Sequence, residues 1–330
     1  MQEYALTRDE IVAIRAISDQ RKLSISELSE KLRSSEGWAS RVIKSLEGKG
    51  IVKTRREGMK KTAEIAEANY AQVLSELIKA ERHVPWEKVL SYSNMAVLLA
   101  STTGEGDFER GLSNTTKWRA LRNLSMHGLI PKKTGGSTAL NSRINRFARE
   151  YAEHISGRFA RKFLPLTSTV LWMEGYSCLF KVRMEAEKKE IPKHFLRTAL
   201  SAYHDYGIQF ITNEVYYYYE PGKTRLSLED VILHTLLIDR GSQTYVTYAL
   251  LFIFKVYRKI DFESLAKKAQ RYNLAKNVED TVRYINSNGE ERAWPLPRWE
   301  ELKEQAIVYG IEINDARQAA ARIQSRVHRK

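Results

Sequence analysis

The chain carries one cysteine, Cys178, in 330 residues. A single thiol excludes an intramolecular disulfide and a cysteine-rich zinc site. No run of about 18 apolar residues exists, which excludes a membrane-spanning helix. The most apolar stretch, Tyr245 to Val256, is too short and ends at Tyr257-Arg258-Lys259. Met1 is followed by Gln2, Glu3 and an early charged helix rather than by a signal peptide. These absences lead us to expect a cytoplasmic protein. Catalytic signatures are missing too. The spacings GxxxxGKS/T, GxGxxG, HExxH and GxSxG do not occur, which removes the common nucleotide, metal and hydrolase chemistries. We therefore expect no enzyme, no catalytic residue, no cofactor and no metal.

Acidic residues are scarce where basic ones cluster. The totals are 54 Lys and Arg against 40 Asp and Glu, a net charge of +14. From Arg110 to Arg149 there is no acidic residue, against nine basic ones (Arg110, Lys117, Arg119, Arg122, Lys132, Lys133, Arg143, Arg146, Arg149). From Lys31 to Lys61 ten basic residues face only Glu36, Glu47 and Glu57. A solvated face normally mixes both signs, so these segments point to a polyanion. With 43% hydrophobic and 28% charged residues the chain is globular, and its length suggests two or three domains.

Helical spacing marks Thr7 to Ile17, with Thr7 as N-cap, and Ser26 starts a second short helix. A third runs from about Glu36 to Glu47, with Trp38, Val42 and Leu46 on its buried face and Gly48 and Gly50 ending it. Ile51 to Arg55, a turn at Glu57-Gly58 and Met59 to Ile65 form a hairpin. Three helices and a basic hairpin are the layout of a winged helix-turn-helix.

The layout recurs 78 residues later. That shift sets Arg41 on Arg119, Ile43 on Leu121, Lys44 on Arg122, Leu46 on Leu124, Gly50 on Gly128, Ile51 on Leu129 and Gly58 on Gly136. The second reading helix would span Ser113 to His127. Its wing would run from Leu129 to Asn141, and another helix from Ser142 to Phe163. Beyond that, Thr169 to Trp172, Ser177 to Val182, Gly207 to Ile211 and Val215 to Tyr219 are strand-like, and Lys193 to Tyr206 is helical. Further helices follow at Leu228 to Ile238, Tyr245 to Tyr257, Phe262 to Tyr272 and Val278 to Ile285. The fold class is mainly α with α+β: tandem winged helices, then a mixed α/β and helical C-terminal domain. The boundaries are 1–65 for the first winged helix, 66–84 for a helical linker, 85–160 for the second, and 161–330 for the remainder.

In such a fold the third helix enters the major groove and the wing grips the backbone. Burying Trp38, Val42 and Leu46 leaves Ser40, Arg41, Lys44 and Ser45 outward. Burying Ala120, Leu121 and Leu124 leaves Asn114, Thr115, Lys117, Trp118, Arg119 and Arg122 outward. Arginine clasps guanine, Asn reads adenine, and Ser or Thr adapts to either. Trp118 could touch sugar or a thymine methyl; packing against the following helix is the simpler account. Arg55, Arg56, Lys60 and Lys61, with Lys132 and Lys133, suit phosphate. The competing account is that one unit packs on a partner protein. Asp230 and His234, one helical turn apart, could share a metal or proton, but a satisfied buried hydrogen bond is the simpler account. The run Tyr216-Tyr217-Tyr218-Tyr219 could stack bases, yet alternate rings in a strand would serve core on one side and interface on the other. Arg317, Arg322, Arg326, Arg329 and Lys330 form a basic tail.

The basic third helix and wing resemble MarR-type and other archaeal and bacterial winged-helix regulators. Further on stand Thr198 to Tyr203, Tyr206-Gly207-Ile208, Tyr217 to Tyr219, Leu228 to His234, Asp261 to Ala266 and Ala269 to Tyr272. This stretch, Leu196 to Tyr284, resembles the C-terminal region of AbiEi-type antitoxins. What the resemblance implies is a repressor of duplex DNA whose C-terminal domain (161–330) meets a toxin or another regulatory protein. A homodimer and no membrane contact are expected with it. Two winged helices rather than one depart from the antitoxin pattern. Two other classes compete: a plasmid or viral replication initiator binding origin repeats, and a nucleotidyltransferase-like enzyme. The enzyme would need a Gly-Ser turn and paired acidic residues on a strand, and neither occurs.

Overall fold

Thr7 and Glu10 start the first helix by bonding each other: the Thr7 hydroxyl accepts from the Glu10 amide, and the Glu10 carboxylate accepts from the Thr7 amide. Two orphan N–H groups are satisfied at once. In the computed structural model, which describes residues 4–58, 60–103, 106–130, 139–184 and 191–313, the chain divides into two compact units, 1–162 and 163–330.

The first unit opens with α1 (Arg8–Gln20), β1 (Lys22–Ser24), α2 (Ile25–Leu32), α3 (Glu36–Gly48), β2 (Val52–Glu57) and β3 (Lys60–Ile65). The strands form an antiparallel sheet of order β1-β3-β2, with Leu23 opposite Ala63 and Val52 opposite Ile65. The cap of α2 is Ser24, boxed with Glu27, and not Ser26, whose carbonyl instead accepts from Ser29. The buried stripe of α3 is Ala39, Val42, Ile43 and Leu46, whereas Trp38, expected inside, is 39% exposed. The reason is spacing: i, i+3, i+4, i+7 from Ala39 makes a closed apolar stripe, and Trp38 lies beside it.

Residues 66–84 contain α4 (Asn69–Ala80), which packs on α1 and buries Tyr70, Leu74, Leu77 and Ile78. Then come α5 (Trp86–Val89), α6 (Tyr92–Thr103), a 3-10 turn (Gly106–Glu109), α7 (Asn114–Met126) and α8 (Ala139–Phe163). Most of the expected second wing, residues 131–138 with Lys132 and Lys133, lies outside the described residues. Its last part, Ala139 to Asn141, is not wing but the start of α8, since nothing there breaks a helix.

The second unit holds β4 (Thr169–Glu174), β5 (Ser177–Arg183), β6 (Leu196–Arg197) and β7 (Glu214–Tyr219) in an antiparallel sheet of order β4-β5-β7-β6. Among the described residues five α-helices follow: α9 (Leu228–Ile238), α10 (Gln243–Val256), α11 (Phe262–Arg271), α12 (Ala275–Asn286) and α13 (Trp299–Val308). Every residue of α9 from Glu229 to Leu237 is buried. Lys193 to Tyr206, expected helical, is β6 followed by a 3-10 helix, Ala199–Tyr206. Gly207 to Ile211 is not a strand but the connection from the 3-10 helix to β7, both of whose sides are taken by β5 and β6. Tyr216, Tyr217 and Tyr218 are all buried, so both faces of β7 are covered and neither is left as an interface. No helix among the described residues is long and apolar enough to cross a membrane.

Candidate nucleic-acid interface

Ser35 caps α3 by accepting from the Trp38 amide. With the stripe of Ala39, Val42, Ile43 and Leu46 turned inward, helical geometry sets Gly37, Arg41, Lys44 and Gly48 along the opposite, exposed line. The two glycines leave room for another backbone to come close. Arg41 lies over the Trp38 ring at 4.9 Å, and Trp38 Nε1 donates to Asp9 at 2.8 Å. A guanidinium held over an indole face at this distance is attracted to the ring, which favours that placement of the side chain. Ser40 is half-buried. Ser45 is exposed but turns its hydroxyl to Glu10, to which it donates at 2.7 Å.

The hairpin of β2 and β3 separates its charges. Near its base Lys53 donates to Glu67 at 2.6 Å and pairs with Glu64 at 3.4 Å, and Arg55 pairs with Glu64 at 3.1 Å. Its hydrogen bond to Glu67 raises the Lys53 pKa. Thr54 donates to Glu47, which ties the hairpin to α3. Towards the tip Arg56 stands directly across from Lys61, and Lys60 follows. Like charges facing across a strand pair are destabilising. Arg41, Lys44, Arg56 and Lys61 form no ion pair among the described residues.

α7 keeps the register of α3. Ser113 caps α7 as Ser35 caps α3, and both helices have 13 residues. Leu46 and Leu124 are fully buried, as are Ile51 and Leu129. Gly50 and Gly128 end the helices with φ of +69° and +70°. The Ile51 and Leu129 amides donate back to Leu46 and Leu124, both at 3.0 Å, the bond that closes a helix around a left-handed glycine. The exposed line of α7 is Thr115, Arg119, Arg122 and Met126, with Asn114 and Trp118 beside it.

Three positions differ from expectation. Lys117 is half-buried and donates to Glu109 at 2.8 Å. Leu121 is 42% exposed where its counterpart Ile43 is buried. Trp118, expected to pack on the next helix, is 58% exposed with Arg122 over its ring at 5.5 Å.

Sequence reasoning missed Glu10. This carboxylate is 2% exposed and accepts from Thr7, Ser45 and Lys49, with Lys49 Nζ at 2.5 and 2.7 Å from its two oxygens. It joins the start of α1 to the end of α3. Its only sequence signal was the Thr7-x-x-Glu10 spacing of a capping box.

In the second unit Asp230 and His234 serve different partners. Asp230 completes the Ser227 capping box and pairs with Lys223 and Lys268, each at 3.0 Å. Burial pushes its pKa up, but the Ser227 amide and the two ammonium groups outweigh it and hold the carboxyl at about 2. His234 meets Thr198 Oγ1 through Nδ1 at 2.7 Å and Tyr272 Oη through Nε2 at 3.1 Å, its ring stacked on Tyr218. Burial pulls its pKa down to about 3, so the imidazole is neutral. Among the described residues no group of three His, Cys, Asp or Glu could hold a metal ion. The basic tail from Arg317 lies outside the described residues.

Residues 6–57 match the MarR family, and residues 192–311 match HVO_2833_C, a C-terminal domain family. No curated protein and no solved structure matches the chain. The N-terminal match, from before α1 through β2, makes this the winged helix of a DNA-binding regulator of transcription. MarR regulators bind duplex DNA, often as dimers, and are not enzymes. The resemblance of residues 196–284 to AbiEi-type antitoxins draws no support from the C-terminal match.

Proposed function

We propose that the chain is a sequence-specific repressor that binds duplex DNA through α3 and α7, with the β2–β3 hairpin gripping phosphates. The carrying observation is the arrangement of Arg41, Lys44, Arg56 and Lys61, exposed or half-buried with no ion pair among the described residues. Arg56 and Lys61 face each other at a cost to the free protein, which a phosphate backbone between them would relieve. Arg41, stacked on Trp38 beside Gly37, is placed to reach a base edge. Residues 163–330 then serve as the effector or partner-binding part, since Asp230 and His234 are spent on internal contacts. An antitoxin role for this part would add a toxin as its partner.

The test is binding of the full chain to a pool of random-sequence duplexes at several salt concentrations. The logarithm of affinity should fall by about 0.9 per phosphate neutralised for each unit of log salt. Affinity that barely moves between low and moderate salt would overturn the proposal.

A further inference from the structure

We propose that the two reading helices are held as one rigid pair, so that a single chain reads a bipartite duplex site at one fixed spacing. This rests on the DNA-binding reading above and adds what kind of site is bound.

The joint between the two halves is built like a core. Tyr4, ahead of α1, is 2% exposed and belongs to both halves: its hydroxyl donates to the Phe108 carbonyl at 3.1 Å, and its ring stacks on Tyr92 at 5.8 Å. Its carbonyl accepts from the Tyr151 hydroxyl on α8 at 3.1 Å. The Leu6 amide donates to the Leu90 carbonyl at 3.2 Å. On the far side Tyr70 of α4 packs between Tyr151 and His154 of α8, with ring centroids at 5.5 and 4.9 Å, while its hydroxyl donates to the Gly50 carbonyl. Gly50 is the residue that ends α3. A helix belonging to the second half thus closes over the end of the first reading helix.

Buried aromatic packing and paired backbone groups allow no independent tumbling of the halves. A flexible tether would let α3 and α7 find their sites at many spacings. Here α4 is packed on α1 and is no tether. Since α3 and α7 each expose an arginine-bearing line, the second contact follows the first at high effective concentration only when the DNA presents both sites at the built-in distance and rotation. The dimer habit of MarR regulators supplies two reading helices from two chains; this chain supplies two by itself.

The experiment selects duplexes of about 40 bp from a random pool with the full chain, then measures stoichiometry and spacing. The expected result is two unlike motifs at one spacing, bound by one chain per duplex. Inserting about 5 bp, half a helical turn, between them should cost ~100-fold or more in affinity. A full-turn insertion should not restore it, because a rigid pair cannot stretch. Arg41→Ala should relax one motif and Arg119→Ala the other. A single motif, tolerance of many spacings, or a symmetric site holding two chains would overturn the inference and leave DNA binding intact. Absence of any duplex binding would overturn the DNA-binding reading, and the inference with it.

Discussion

Lys49, the C-cap residue of α3, sits in a buried ion pair with Glu10 in the first turn of α1, its ammonium 2.5 Å from the nearer carboxylate oxygen. The same ammonium donates to the Ala5 carbonyl. The reading helix is therefore anchored at its C-terminal end, away from Gly37 and Arg41.

Removing one partner of a buried pair strands the other charge. Lys49→Met should cost about 3–5 kcal/mol in urea unfolding. Glu10→Leu added to Lys49→Met should recover part of that loss. A double variant less stable than Lys49→Met alone would show that Glu10 matters mainly as the cap of α1.

Base reading and backbone gripping separate by mutation. Arg41→Ala should lose roughly 1–3 kcal/mol on the selected site and relax preference at one or two base pairs. Arg56→Thr should weaken selected and scrambled duplexes alike and flatten the salt slope by about one unit. It should also stabilise the free protein by about 0.2–1 kcal/mol, because it removes the like charge opposite Lys61. Competition binding and thermal unfolding on the same variant check both halves.

The two helix-ending glycines should answer differently to alanine. At Gly128 a Cβ meets nothing within 4 Å, so Gly128→Ala carries only the left-handed backbone penalty of about 1–2 kcal/mol. At Gly50 a Cβ would run into the Tyr70 hydroxyl and the His154 ring, which adds about 1–3 kcal/mol. Equal losses would mean that α8 gives way easily, and the rigid joint would be in trouble.

His234 makes the second unit sensitive to acid. Its folded pKa is depressed to about 3 from an ordinary value of 6.5, so the unfolded chain takes up a proton first. Its contribution is complete above about pH 6.5 and is lost as pH falls towards 3, with a slope approaching about 1.4 kcal/mol per pH unit. Asp230, held at about 2, adds a further loss only below its ordinary 3.8. In His234→Gln the stability curve should flatten between pH 6 and 4 relative to the parent. Parallel curves in that window would refute the assignment.

Much of this was legible in the chain itself, and the residues show where it stopped. The bounds of α9 follow from Ser227 as cap and an apolar run, and the 78-residue repeat survives down to a matching glycine φ. An indole is mostly apolar and so reads as core in the sequence, yet the Trp38 N–H donates to the carboxylate of Asp9 at the surface. Alternation in the Tyr216 to Tyr219 run points to core on one side and an interface on the other, but it says nothing of what covers the second face, which is buried as well. Gly207 to Ile211 has strand composition but pairs with no strand, and which segments pair is a property of the assembled sheet. Lys117 illustrates the limit at the interface: a basic residue on a basic helix, spent on Glu109.

Two copies of a capped, glycine-ended helix in one chain are encoded by separate codons. In a symmetric pair of identical subunits each substitution in a reading helix appears twice, so both contacts shift together. Here Met126 stands where the first copy has Gly48, and Trp118 where it has Ser40. One copy can drift while the other holds, so under the proposed two-helix reading a substitution in α7 would change one half of the bound site and leave the half met by α3 as it was.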